Sequence, residues 1–353
     1  MNYIEKMTEQ IKILRQKERI TVLGIESSCD ETSAAIVING RRILSNVISS
    51  QIEIHRKYKG VVPEIASRCH TECIASVTEE ALHKANITFS DIDAVAVTAG
   101  PGLVGGLLVG VSYAKALAYA INVPLIGVHH IEGHICANYI SHSMLEPPFV
   151  ALIASGGHSH IILAQDYCSY RLLGRTRDDA AGEAFDKTAR VLGLPYPGGV
   201  EIERLAVLGD PDAFVFHSTI AKDSSYDFSF SGVKTAVINL VHKYEQKGEA
   251  MPAADLAASF QAFVVKTLCD KAIRAATEHN VAQLVLAGGV SANSLLRKET
   301  KRLGEERGLH VYYPERILCT DNAAMIASAG YFRLLRGEFS DLDLNANPNM
   351  VLF

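Results

Sequence analysis

Apolar residues along the chain gather in short runs separated by polar or glycine-rich turns, the pattern of alternating strands and helices. Residues 20–26 (ITVLGIE) predict a first strand and residues 33–38 a second, joined through the polar turn at 27–32 into a hairpin. Residues 91–98 predict a buried strand that runs into the glycine-rich turn at 99–106 and then into a helix ending near Ala120. A strand feeding a glycine turn and a helix is a ligand edge in α/β sheets. The second half repeats this grammar: strand 149–154, turn 155–159 and strand 160–163, and later strand 283–287, turn 288–293 and a helix from Leu295. The fold class predicted is α/β with a duplicated, hairpin-first architecture. Residues 1–19 read as a charged helical extension, for which disorder is the simplest expectation.

Length and composition narrow the class. A chain of 353 residues exceeds one ordinary core and fits two lobes. Hydrophobic residues at 48% and charged residues at 21% exclude a disordered or fibrous chain. No apolar run is expected to approach the roughly 18 residues of a membrane span, and the N-terminus lacks the apolar centre of a signal peptide. Seven cysteines without a C-x-x-C pair agree with a reducing compartment, so a cytoplasmic location is expected. Cys69 and Cys73, one helical turn apart, read as buried small hydrophobes. A net charge of −5 offers nucleic acid no global attraction. The basic clusters Arg56, Lys57, Lys59 and Arg171, Arg175, Arg177 read as solvated faces, so a nucleic-acid substrate would require partner proteins to supply part of the grip.

The candidate chemistry centres on His130 and His134 in the run VHHIEGH. Four residues apart on a helix, their imidazoles share one face, where they either bind a metal or line a groove. Glu132 lies at i+2, turned about 200° from His130, so the H-E-x-x-H arrangement of a metalloprotease is not reproduced. The turns at 27–32, 100–106, 155–159 and 288–293 suggest a nucleotide cleft, because glycine lets backbone N–H groups approach phosphate or ribose. No G-x-x-x-x-G-K-[ST] loop occurs. Asp30 and Glu31 in the first turn hold a metal, activate a nucleophile or cap the turn. Asp186, in the stretch DDAAGEAFDK, either bonds sugar hydroxyls or answers a helix dipole. Asp321, just ahead of an apolar helix, is an N-cap or a third ligand beside the two histidines.

The ordered runs GIESSCDETSAAIV, VVPEIASRCH, GPGLVGGLLVG, HHIEGH, SGGH, DDAAGEAFDK, YPGG, FSFSGVKTA, GGVSAN and CTDNAAMIA resemble the TsaD family of tRNA threonylcarbamoyladenosine transferases, from about residue 20 onward. The resemblance implies an actin-like ATPase superfamily fold, as in sugar kinases, Hsp70 and actin, with two lobes around a cleft. It places an extension at 1–19, a first lobe at 20–128 with 325–353 returning to it, and a second lobe at 129–324. It implies transfer of a threonylcarbamoyl group from threonylcarbamoyl-AMP to the N6 amine of the adenosine beside the anticodon, in tRNAs reading codons that begin with A. A divalent metal, Fe2+ first and Zn2+ or Mg2+ as alternatives, would sit on His130, His134 and Asp321. Ile153, Ala154, Ser155, Gly156, Gly157, Asp186, Gly199, Glu203 and Asn293 would contact the adenylate, and Asp30 and Glu31 would be the catalytic acids. Expected partners are tRNA, a TsaB-like paralogue and a TsaE-like ATPase, with no membrane. Lys59, Val200 and Ser159 stand where the family usually has glycine, proline and threonine. Two rival readings are a metalloprotease and a simple ATP-hydrolysing or kinase module; the histidine pair with Asp321 is unexplained by ATP hydrolysis alone.

Overall fold

A computed structural model describes residues 2–58, 60–217 and 224–352, so Lys59 of the first basic cluster lies outside the described residues. The chain divides into two compact units, one of residues 1–147, 166–169 and 314–353, the other of residues 148–165 and 170–313.

The first unit opens with helix α1 (Tyr3–Leu14). It contains β1 (Thr21–Glu26), β2 (Glu31–Ile38), β3 (Arg42–Ser50), α2 (Ile52–Arg56), α3 (Pro63–Ala85), β4 (Ala94–Gly100), α4 (Val104–Ile121), β5 (Leu125–His129) and α5 (His130–Ser141). Its sheet runs β3-β2-β1-β4-β5. The β1–β2 hairpin is antiparallel, with Thr21 opposite Ile38 and Glu26 opposite Ser33, and β1 then pairs in parallel with β4. All six residues of β1 are buried, as expected of a strand covered on both faces.

The second unit repeats the plan. Strands β6 (Phe149–Ala154), β7 (Ser159–Asp166) and β8 (Ser169–Arg175) are followed by α6 (Ala181–Val191), α7 (Gly198–Ala206), α8 (Ser231–Lys247) and α9 (Ala253–Glu278). Then come β9 (Gln283–Ala287), α10 (Ser294–Glu305) and β10 (His310–Tyr312), and the sheet order is β10-β9-β6-β7-β8. The order matches the first sheet strand for strand, so the duplicated architecture read from the hairpins is present. Helix α11 (Ala323–Leu335) returns to the first unit.

Three expectations are corrected. The unit boundary falls at 147/148 and not at 128/129, because α5 follows β5 without a linker and packs on α11. Residues 314–324 likewise belong to the first unit. The N-terminal extension is ordered where disorder was expected. In α1, Asn2 and Glu5 form a reciprocal capping box, Met7, Ile11 and Leu14 are buried, and the Tyr3 hydroxyl donates to the Val123 carbonyl. Finally, one helix among the described residues, α4, is long and apolar enough to cross a membrane. It packs one face against α3 and β4 and is about one-third buried, so length and composition alone carry the resemblance to a span.

Candidate active site

Helix α5 begins where β5 ends, and its cap is built by a third histidine. His129 Nδ1 accepts the Ile131 N–H at 3.1 Å, while its Nε2–H donates to the Met350 carbonyl at 3.1 Å. The next residue, His130, is thereby aimed along the same helix face as His134, and the two rings meet edge to face with centroids 4.7 Å apart. Asp321 reaches this pair from the start of α11. Its Oδ1 lies 3.4 Å from His130 Nε2 and 3.2 Å from His134 Nε2.

Two close approaches fix that meeting. A Cβ on Gly24 of β1 would stand 2.2 Å from the Ala323 carbonyl oxygen, so α11 can lie directly on the strand only over a glycine. On α5, Gly133 allows a similar approach of Ile326. The N-cap of α11 is Asn322 and not Asp321: the Asn322 side chain accepts from the Met325 N–H at 3.1 Å. The capping alternative for Asp321 is therefore overturned, and its carboxylate is released toward the histidines.

The donor set fits a metal. One ligand atom from each of the three side chains lies within 4.8 Å of the others. His134 is only 1% exposed; its Nε2 faces Asp321 and its Nδ1 has no hydrogen-bond partner among the described residues. Leaving a buried polar group unpaired costs about 1–3 kcal/mol, which a coordinate bond would offset. Burial opposes charge on Asp321, but His130 and His134 outweigh it and hold the carboxyl far below the usual carboxylate range. Burial likewise opposes charge on His130, yet Asp321 and Glu26 raise it well above an ordinary imidazole.

The turn at 27–30 carries the acids. Asp30 is buried, and Glu31 opens β2, accepting from the Ser50 hydroxyl at 3.1 Å. Burial, then Asp321 and Asp30, push the Glu31 carboxyl up to about 10. Below this turn, His70 Nε2–H donates to the Cys29 carbonyl at 3.0 Å and its Nδ1 stands 2.7 Å from the Thr32 hydroxyl. Glu132 faces elsewhere: its Oε2 takes the Arg333 guanidinium at 2.7 Å, so it is held away from the histidine pair as its i+2 position required. Cys73 is half-buried, its thiol donating to the Cys69 carbonyl at 2.9 Å, which differs from the apolar burial expected of the pair.

The glycine turns separate into two kinds. The turn at 100–106 is filled by the chain itself: a Cβ on Gly102 would meet the Ser28 carbonyl oxygen at 2.6 Å, and the Gly102 N–H donates to Pro348. Its expected ligand role is withdrawn. In the second unit the turns after β6 and β9 lie side by side, since those strands pair in parallel with Ile153 opposite Ala287. A Cβ at Gly156, Gly157, Gly199 or Gly289 would meet nothing within 4 Å, so these backbones face open space. Ile153 and Ala154 are fully buried, which leaves them only main-chain groups to offer. Ser155 accepts the His158 N–H on its hydroxyl, and Asp186 Oδ1 takes the Gly198 N–H at 2.8 Å at the start of α7. Asn293 caps α10 through the Leu296 N–H and donates to Gln261, and Glu203 takes the Ser294 N–H at 2.8 Å. Val200, 55% exposed, is an ordinary first-turn residue of α7.

The residues singled out from the sequence thus form two groups. Asp30, Glu31, His130, His134 and Asp321 belong to the first unit, and Ile153, Ala154, Ser155, Gly156, Gly157, Asp186, Gly199, Glu203 and Asn293 to the second. Sequence reading passed over Glu26, Asn322 and His70. An acid closing a largely apolar strand was the signal for Glu26.

Solved structures of similar fold include full-length HypF in its phosphate- and nucleotide-bound form, with a TM-score of 0.59 at 15% identity over 91% of this chain and 47% of that one. HypF of T. kodakarensis gives a TM-score of 0.60 at 14% identity, covering 90% and 48%. The (R)-2-hydroxyglutaryl-CoA dehydratase component A of Acidaminococcus fermentans gives 0.50 at 14% identity, covering 89% and 99%. The fold is the actin-like ATPase class. Proteins called tRNA N6-adenosine threonylcarbamoyltransferase are 58% identical over 331 residues in Clostridium perfringens, covering 94% of this chain and 98% of that one. The Moorella thermoacetica protein of the same name is 56% identical, covering 94% and 97%. The family model for tRNA N6-adenosine threonylcarbamoyltransferase matches residues 42–328, and with these relatives it shows that the chain belongs to the TsaD family.

Proposed function

We propose that this chain transfers the threonylcarbamoyl group of threonylcarbamoyl-AMP to the N6 amine of the adenosine beside the anticodon, in tRNAs reading codons that begin with A. The observation that carries this reading is the convergence of His130, His134 and Asp321 beside the acid-bearing turn, in a chain of this family. Two imidazoles and one carboxylate suit a borderline divalent ion, Fe2+ first and Zn2+ next, better than the all-oxygen preference of Mg2+. Such an ion, when bound, supplies a Lewis acid that polarises the carbonyl under attack. The chain's own residues do the rest. His130, His134 and Asp321 hold the ion, while Asp30 accepts the proton released as the weakly basic amine attacks. Glu31 stands beside Asp30 at the start of β2, where its carboxyl accepts from the Ser50 hydroxyl.

In the second unit, the backbone at Gly156, Gly157 and Gly199 receives the adenylate. Ile153, Ala154 and Ser155 shape that turn, and Asp186, Glu203 and Asn293 set the helix starts around it and meet the ribose side. AMP is the leaving group. A TsaB-like paralogue and a TsaE-like ATPase assist. The net charge of −5 gives tRNA no global attraction, while Val104, Leu108 and Tyr119 are exposed apolar residues along α4 suited to a partner subunit. The setting is the cytoplasm.

The test supplies threonylcarbamoyl-AMP, unmodified tRNA and the partners, and reads modified adenosine by nucleoside mass spectrometry. The wild type should form product, and Asp30→Asn should lose about 10²–10⁴ in kcat with adenylate affinity near normal. Equal loss of both would assign Asp30 to binding, and absence of product from the wild type would reject the transferase.

A further inference from the structure

Glu26 is the last residue of β1 and its side chain is fully buried. Removing a carboxylate from water costs several kcal/mol unless its oxygens are hydrogen-bonded, and here both are. Oε1 accepts the Ser28 N–H at 2.5 Å, and Oε2 accepts the Thr98 hydroxyl at 2.7 Å and lies 3.1 Å from His130 Nδ1. The Ser28 hydroxyl stands 3.2 Å from the same ring nitrogen. An acceptor-only group is required, since a glutamine at this position would aim an NH2 at one of three donors. The contrast with His134 is informative: among the described residues its Nδ1 has no partner, so no hydrogen bond on that side orients the ring.

We propose that Glu26 is the positioning residue of this centre. Through one oxygen it accepts from His130 Nδ1–H, which leaves Nε2, on the Asp321 side, as the nitrogen that would hold the ion, and through the other it anchors the turn that carries Asp30. The inference rests on the metal reading above.

The experiment measures Zn2+ affinity of the full chain by chelator competition for wild type, Glu26→Gln, Glu26→Asp and His130→Ala. It adds nitrogen-15 NMR of histidine-labelled wild type loaded with Zn2+. Glu26→Gln should fold and bind about 10–100-fold more weakly, with Glu26→Asp intermediate. In the wild type, His130 should carry its proton on Nδ1 and the zinc on Nε2. Folded Glu26→Gln that binds within about twofold of wild type, while His130→Ala loses the ion, overturns the positioning role alone. A proton on His130 Nε2 does the same, and decides the matter if Glu26→Gln does not fold. A wild type that takes up neither Zn2+ nor Fe2+ overturns the metal reading, and this proposal with it.

Discussion

Asn322 and Asp321 are neighbours with divided labour. Asn322 turns inward to cap α11, its amide also donating to the Thr320 carbonyl at 2.8 Å, and this leaves the Asp321 carboxylate outside the helix and facing two imidazoles. Replacing Asn322 by alanine should cost about 1–2 kcal/mol in urea unfolding and weaken Zn2+ binding, whereas Asn322→Ser, which keeps a capping oxygen, should preserve most of both. From sequence, the apolar helix after Asp321 was legible and the ligand role was one of two alternatives. Which of two adjacent cap-competent residues takes the N-cap depends on backbone torsions at one residue, and these are set by the packing of Ala323 on Gly24. His130 and His134 were legible because the i, i+4 spacing fixes a shared face whatever the fold. Glu26 was not, since its partners Thr98 and His130 come from distant segments.

At the scale of elements, β1, β2, β4, β6, β7 and β9 follow from apolar runs that are buried on both faces. Edge strand β3 alternates weakly with exposed ends, and β10 has three residues, so neither leaves a pattern to read. Strand β7 also carries a pH response. His160 lies opposite Ile153, and burial, with Arg175 nearby, lowers its imidazole from 6.5 to about 4. Between those values the unfolded chain takes up a proton that the folded strand refuses. Stability is therefore intact above pH 6.5, falls as the pH drops toward 4, and loses nothing further from this residue below that. Urea midpoints measured across this window should fall more steeply for the wild type than for His160→Gln; parallel curves would remove His160 as the cause.

For the whole molecule, duplication was legible and the boundary was not. The residues proposed as metal ligands lie wholly in the first unit and those proposed for the adenylate wholly in the second. Hydrogen exchange should therefore separate the two ligands. Zn2+ should slow exchange in α5 and at the start of α11, and AMP should slow it in the turns after β6 and β9 and at the start of α10, each leaving the other region near its free rate. Saturation at about 100 times the dissociation constant stabilises the binding unit by about 2.7 kcal/mol, enough to move its melting transition by several degrees. Protection of both regions by Zn2+ alone would contradict this division.

The wide spacing of the three ligands along the chain gives the centre a history in time. Asp321 is made roughly 190 residues after His134, which at about 5–20 residues per second is a wait of roughly 10–40 s during synthesis. Throughout that interval the emerging polypeptide holds an imidazole pair with no carboxylate beside it, and the Met350 carbonyl that steadies His129 comes later still. On the metal reading proposed above, an ion met by the nascent chain in that interval would find two ligands instead of three, so durable loading would belong to the period after Asp321 has left the ribosome.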